Sequence, residues 1–217
     1  MSLCNIVLLT LVVAVAIGIG VLVMQEKGDP NKGDIKVITT SEELEKHLVE
    51  YKSLLGSDYE GYRGHLYRVL TYTMHFLNGD KTYQPLIEAA LVFHDIGLWT
   101  DSVLDYLDPS FERFKEHFGD LYTEEELQLA HDIIIFHHKV TSFEGPHADV
   151  VNAVRKADWI DATQGLVHHG MSKDNIAMVY EVIPAQGFYD TLLGFGSRLH
   201  GYNVFKAVWE LKKIFYF

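Results

Sequence analysis

A single cysteine in 217 residues, Cys4, leaves the chain no intramolecular disulfide and excludes a metal site built on cysteine thiolates. That usage fits a reducing compartment, with the juxtamembrane Cys4 expected as an unmodified thiol rather than a palmitoylated one. Positive charge is also scarce. Against 30 Asp and Glu there are 18 Lys and Arg, a formal net charge of -12, and none of it belongs to the first 25 residues. A domain this acidic does not track a nucleic-acid backbone, whereas a small phosphorylated substrate needs only a local basic cluster. No alternating strand pattern, internal repeat or long low-complexity tract interrupts the chain, so an all-α fold is expected.

What is present begins with an apolar run. Ile6 to Met24 is 19 residues without a charge, close to the roughly 20 needed to span a bilayer as a helix. No basic residue precedes it and Val21, Leu22 and Val23 end it, so residues 1–25 read as a transmembrane anchor rather than a cleaved signal. Lys27, Lys32 and Lys36 follow the run, which by the positive-inside rule puts the remainder in the cytoplasm. Residues 26–40 read as a polar linker and 41–217 as one helical domain.

Helix signals cover that domain. Ser41 before Glu42, Glu43 and Glu45 opens a helix, and a second is expected over 59–77 from Leu66, Val69, Leu70, Thr73 and Phe76. Pro85 starts a third at its first turn, with Gly97 expected to supply the end beyond it. Asp108 and Pro109 are expected to cap a short helix through Phe118, and Thr123 with Glu126 forms a capping box for a helix over 124–138. Further helices are expected near 148–163, 172–183, 187–199 and 204–217, with His168, His169 and Gly170 in a polar loop. The aromatic-rich segment 202–217 reads as a packing helix, with a bilayer-lying helix as the alternative.

Against this background His94-Asp95 stands out, because an imidazole and a carboxylate side by side after an apolar helical run make little sense as packing. Adding His65 upstream and Asp158 downstream gives two nitrogens and two oxygens, a donor set suited to Mn, Fe, Co, Ni or Zn. Successive helical residues point about 100° apart, so His94 and Asp95 share one ion only at a helix edge or end.

The order His, His-Asp, Asp over residues 59–163 resembles the HD-domain superfamily of metal-dependent hydrolases. The resemblance implies a helical bundle with His65, His94, Asp95 and Asp158 as ligands of a first metal. It further implies hydrolysis of a small phosphorylated substrate by metal-activated water that Asp95 orients. Arg68, then Lys139 and Lys156, are the cations expected near the transferred group. One ion is favoured and two are possible, with His117, His137 and His138 as second-metal or pocket candidates. A diiron oxygenase, a cyanamide-hydratase-like lyase and a non-catalytic ligand sensor are the alternatives. Oligomeric state is not readable from the sequence.

Overall fold

The computed structural model describes residues 33–198 and 212–216. The apolar run Ile6 to Met24 and the whole of the segment 199–211 lie outside the described residues. Among the described residues there is no strand, and no helix is long and apolar enough to cross a membrane.

The helices are α1 (Glu42–Leu48), α2 (Lys52–Leu55), α3 (Tyr59–Phe76), α4 (Gln84–Phe93), α5 (Gly97–Thr100), α6 (Leu107–Phe118), α7 (Glu124–Phe136), α8 (Ala148–Ala162), α9 (Lys173–Val182) and α10 (Phe188–Arg198). Short 3-10 turns, Val49–Tyr51 and Gly56–Asp58, flank α2. Starts follow local chemistry. Ser41 accepts the Leu44 amide at 3.0 Å, Thr123 and Glu126 form the expected capping box, and Ser172 accepts from Asn175 at 3.1 Å.

Two helices form the centre. In α3 only Glu60, Arg63 and Phe76 escape burial, and in α4 every residue from Leu86 to Phe93 is buried. A helix buried all round must find partners for its polar side chains, and in α3 His65, Arg68 and Thr71 are each hydrogen-bonded. Its longest packing is against α8, with α9 and α10 covering other faces, while α4 lies between α1 and α7 and touches α6.

Several boundaries differ from the sequence expectation. Residues 33–40, the end of the expected linker, are pinned to the bundle: Ile35 is buried, its amide reaches Asn175 Oδ1 at 3.3 Å, and the Ile38 amide reaches Thr71 at 3.1 Å. Asp108 and Pro109 lie inside the first turn of α6 rather than capping it. Helix α7 stops at Phe136, leaving His137 and His138 past its end. Gly97 does not terminate α4. That helix ends at Phe93, residues 94–96 turn, and Gly97 begins α5 with its α-carbon against the next segment. A β-carbon there would sit 2.5 Å from the Tyr106 carbonyl oxygen and 2.9 Å from Ser110 Oγ. Of the expected C-terminal helix, the described residues 212–216 are helical, with Ile214 buried beside Leu98, Tyr106 and Leu107.

Candidate metal centre

Four elements bring their chemistry to one buried point. His65 comes from the middle of α3, and His94 and Asp95 from the turn after α4. His137 and His138 come from the end of α7, and Asp158 from α8. Because the backbone turns over 94–96, neighbouring side chains that a continuous helix would splay apart both point inward.

The hydrogen bonds of the imidazoles fix their orientation. His65 Nδ1 donates to Asp161 Oδ2 at 2.7 Å, His94 Nδ1 to the Leu91 carbonyl at 2.6 Å, and His137 Nδ1 to the Ile134 carbonyl at 2.7 Å. In each neutral ring Nε2 is then a bare lone pair. Those of His65 and His94 face each other at 3.1 Å, a repulsive arrangement unless a proton or a metal ion lies between them.

The carboxylates complete two overlapping donor groups. Asp95 Oδ2 lies 3.7 Å from His65 Nε2 and 3.3 Å from His94 Nε2. Its Oδ1 lies 3.3 Å from His137 Nε2 and 3.9 Å from His138 Nε2. Asp158 repeats the pattern, with Oδ1 3.5 Å from His65 Nε2 and Oδ2 2.9 Å from His138 Nδ1. Yet Asp95 Oδ1 and both oxygens of Asp158 have no aligned hydrogen-bond partner, although each is buried. An orphaned buried carboxylate is costly, and a cation is the natural remedy. His65, His94 and Asp95 form one group of potential ligands and Asp95, His137 and His138 another, so these buried residues could hold a metal ion.

Electrostatics point the same way. Burial opposes a charge on His94, but Asp95 and Asp158 outweigh it and raise the imidazole to about 9. Burial and the neighbouring His138 push His137 down to about 4. Although burial works against ionisation, His94 and His137 hold the Asp95 carboxyl well below the usual carboxylate range, and His138 and His94 do the same for Asp158. The metal-free cluster thus packs the Asp95 and Asp158 carboxylates around a protonated His94. A divalent ion that displaces the shared proton balances it better.

The expected cations fare differently. Arg68 is fully buried, but it does not face the cluster as a free charge. Its Nε donates to Asp161 Oδ1 at 2.6 Å and its Nη2 to Oδ2 at 3.0 Å, while Nη1 reaches the Pro184 carbonyl at 3.1 Å. Lys139 donates Nζ to the Lys213 carbonyl, and burial lowers its pKa. Lys156 lies over the Phe76 ring at 5.8 Å. His117 is also elsewhere, with His47 and Glu50. His131 contacts Asp132 at 3.0 Å and the Phe111 ring, outside the cluster.

Two partners were not assigned in the sequence. Asp161 accepts from His65, from Arg68 twice and from Tyr180 at 2.8 Å, so Arg68 balances its charge while it aims His65. Its signal was the spacing of three from Asp158, which puts both carboxyls on one face of α8. Tyr106 was not foreseeable: its hydroxyl lies 3.5 Å from His137 Nε2, and burial beside Asp95 and Asp158 holds the phenol well above its ordinary pKa. Phe188 closes the back of the cluster, stacked on His65 with centroids 4.2 Å apart. His169, read as part of a polar loop, is buried with neither ring nitrogen hydrogen-bonded.

No protein-family profile matches the chain, and no curated protein or solved structure matches it.

Proposed function

We propose that the chain is a metal-dependent phosphohydrolase of the HD type, acting on a small phosphorylated substrate and anchored to a membrane by the run Ile6 to Met24. One observation carries the metal part of this reading: buried carboxylate oxygens without hydrogen bonds face the Nε2 atoms of His65, His94 and His137, whose Nδ1 atoms are already bonded to protein acceptors. Because Asp95 turns one oxygen to each pair of imidazoles, His65, His94 and Asp95 would hold one divalent ion and His137 and His138, with Asp95, a second, rather than the single ion favoured from the sequence. Each ion supplies Lewis acidity and, by lowering the pKa of water toward about 7, hydroxide at neutral pH.

The protein's own side chains do the rest. Asp161, neutralised by Arg68, keeps the His65 ring oriented, and the Leu91 and Ile134 carbonyls do the same for His94 and His137. Tyr106, held in its protonated form, has its hydroxyl beside His137 and fits the role of hydrogen-bonding a phosphoryl oxygen. Phe188 and Tyr62 screen the rings of His65 and His94 from water. With Arg68 and Lys139 committed to protein acceptors, the charge that offsets a phosphate must come chiefly from the ions.

A diiron oxygenase is the second reading, since the same all-nitrogen-and-oxygen donor groups sharing a carboxylate suit two irons. Metal-stripped protein reconstituted with Mn, Zn or Fe and assayed on phosphomonoesters and phosphodiesters, with and without oxygen, separates them. Anaerobic turnover that disappears in Asp95→Ala and Asp158→Ala is expected. Strict oxygen dependence with two irons per chain would overturn hydrolysis in favour of the oxygenase. Metal binding without phosphoester turnover would point to the hydratase or the sensor.

A further inference from the structure

His117 lies far from the role expected of it, and its actual surroundings form a second constellation. Helix α1 places His47 on its inner face, where it is 2% exposed, and the last turn of α6 brings His117 against it. One turn earlier in α1, Glu43 Oε1 sits 2.8 Å from His47 Nε2. A carboxylate there fixes the proton on Nε2 and leaves Nδ1 as the lone pair. That lone pair is aimed at His117 Nε2, 3.1 Å away. Glu50, from the 3-10 turn after α1, holds its Oε1 3.8 Å from the same His117 nitrogen. The three donor atoms come from three elements and lie within 4.8 Å of one another.

We propose that His47, Glu50 and His117 form a separate binding site for a transition-metal dication of the zinc type, which clasps α1 to α6. Two imidazoles and a carboxylate are a common three-ligand set for zinc, with the fourth position left to water. Bonds of about 2.0–2.1 Å in a tetrahedron set neighbouring donors roughly 3.3 Å apart, and the observed 3.1 and 3.8 Å fall on either side of that spacing. Glu43 is the outer carboxylate that orients one ligand, as Asp161 is for His65 in the buried cluster. Phe118 packs edge-on to both rings, and Phe93 lies 5.6 Å from His117, so one side of the site is apolar. The other side is open: the Glu50 side chain is 53% exposed, giving the ion a route in from water.

The consequence is mechanical. Phe93, against which His117 rests, immediately precedes His94, and α6 begins just after Tyr106, which faces His137. An ion here fixes the far end of α6 to α1 and so restrains the helix whose start borders the buried cluster.

Zinc stoichiometry in the full-length chain tests this, read by competition with a chromophoric chelator. Relative to the parent, Glu50→Gln should bind zinc at this site at least tenfold more weakly, and His117→Ala should lose one equivalent outright. Asp95→Ala should lose zinc only from the buried cluster and keep the equivalent that His117→Ala removes. Glu50 is half exposed, so its variant keeps the fold and remains informative if His117→Ala does not fold. Zinc binding by Glu50→Gln and His117→Ala indistinguishable from the parent's overturns the clasp while leaving the buried cluster untouched. Loss of all zinc in Asp95→Ala also overturns it. Full stoichiometry in Asp95→Ala would instead count against the buried cluster alone.

Discussion

At the scale of single residues, a proton and the proposed metal would compete for the same lone pairs. His94, raised to about 9 by Asp95 and Asp158 against the opposing effect of burial, carries a proton at neutral pH when the cluster is empty. Metal binding must release it, so affinity should rise about tenfold per pH unit above neutrality and level off near pH 9. Chelator competition across that range measures the slope, and a pH-independent affinity would contradict the displacement. The stability of the metal-free chain has the opposite dependence. A folded pKa raised above the unfolded 6.5 adds stability that is complete below pH 6.5 and fades as pH rises through about 9. His169 acts on the acid side, since burial and then Arg155 and Lys156 lower it to about 3. Stability from this group is complete above its unfolded value and is lost as pH falls from 6.5 toward 3. Urea unfolding between pH 7 and 4 should show a shallower loss in His169→Leu than in the parent. Arg68 makes the sharpest contrast with its sequence reading. Arg68→Ala leaves the buried Asp161 carboxylate without its guanidinium counter-ion, so a destabilisation of about 3–5 kcal/mol is expected. Metal affinity should fall about 10–100-fold through the misaligned His65. Denaturant midpoints and metal titration check both, and unchanged affinity would return Arg68 to the substrate side.

At the scale of elements, the close approach of α5 to the start of α6 is what carries Tyr106 to the cluster. Gly97 permits it, with its amide bonded to Ser110 Oγ at 2.9 Å and no room for a β-carbon beneath the Tyr106 carbonyl. Gly97→Ala must push α6 away, at a cost of about 1–3 kcal/mol, and should slow any turnover in which Tyr106 takes part. A urea midpoint equal to the parent's would mean that α6 yields freely. Elements of this kind divide what the sequence reveals from what it hides. Helix starts at Ser41, Thr123 and Ser172 were legible because caps act over three residues, and α3 and α8 because their apolar stripes are long. The convergence of His65, His94, Asp95 and Asp158 was legible from motif order, and the all-helical class from the absence of strands. The partners of Arg68 and His117 were not. Arg68 meets Asp161 across 93 residues and His117 meets His47 across 70, and no local periodicity encodes such pairs. Tyr106 depends on a glycine contact between two helices, which is equally silent in one dimension.

At the scale of the whole molecule, net charge and the proposed anchor bear on how the proposed substrate would arrive. The intact chain is expected to resist sodium carbonate extraction from membranes, and a chain lacking residues 1–25 to be released; extraction of the intact chain would remove the anchor from the reading. The full net charge of -12 then lies beyond the apolar run, facing an anionic substrate that the proposed chemistry requires. Of the cations near the cluster, Arg68 is bonded to Asp161, Lys139 to a carbonyl, and Arg155 to Asn152 at 3.1 Å and the Lys139 carbonyl at 3.3 Å. These bonds turn the basic groups inward, so the long-range field that an approaching phosphate meets is repulsive. Salt screens such a field over roughly 10 Å at 0.1 M, whereas the field of the ions proposed for the buried cluster would be screened far less. Raising ionic strength from about 0.05 to 0.3 M should therefore lower KM for a phosphomonoester by about twofold or more and leave kcat unchanged. A KM that rises with salt would mean that an attractive basic patch guides the substrate, and would place the entry on a face other than the acidic one.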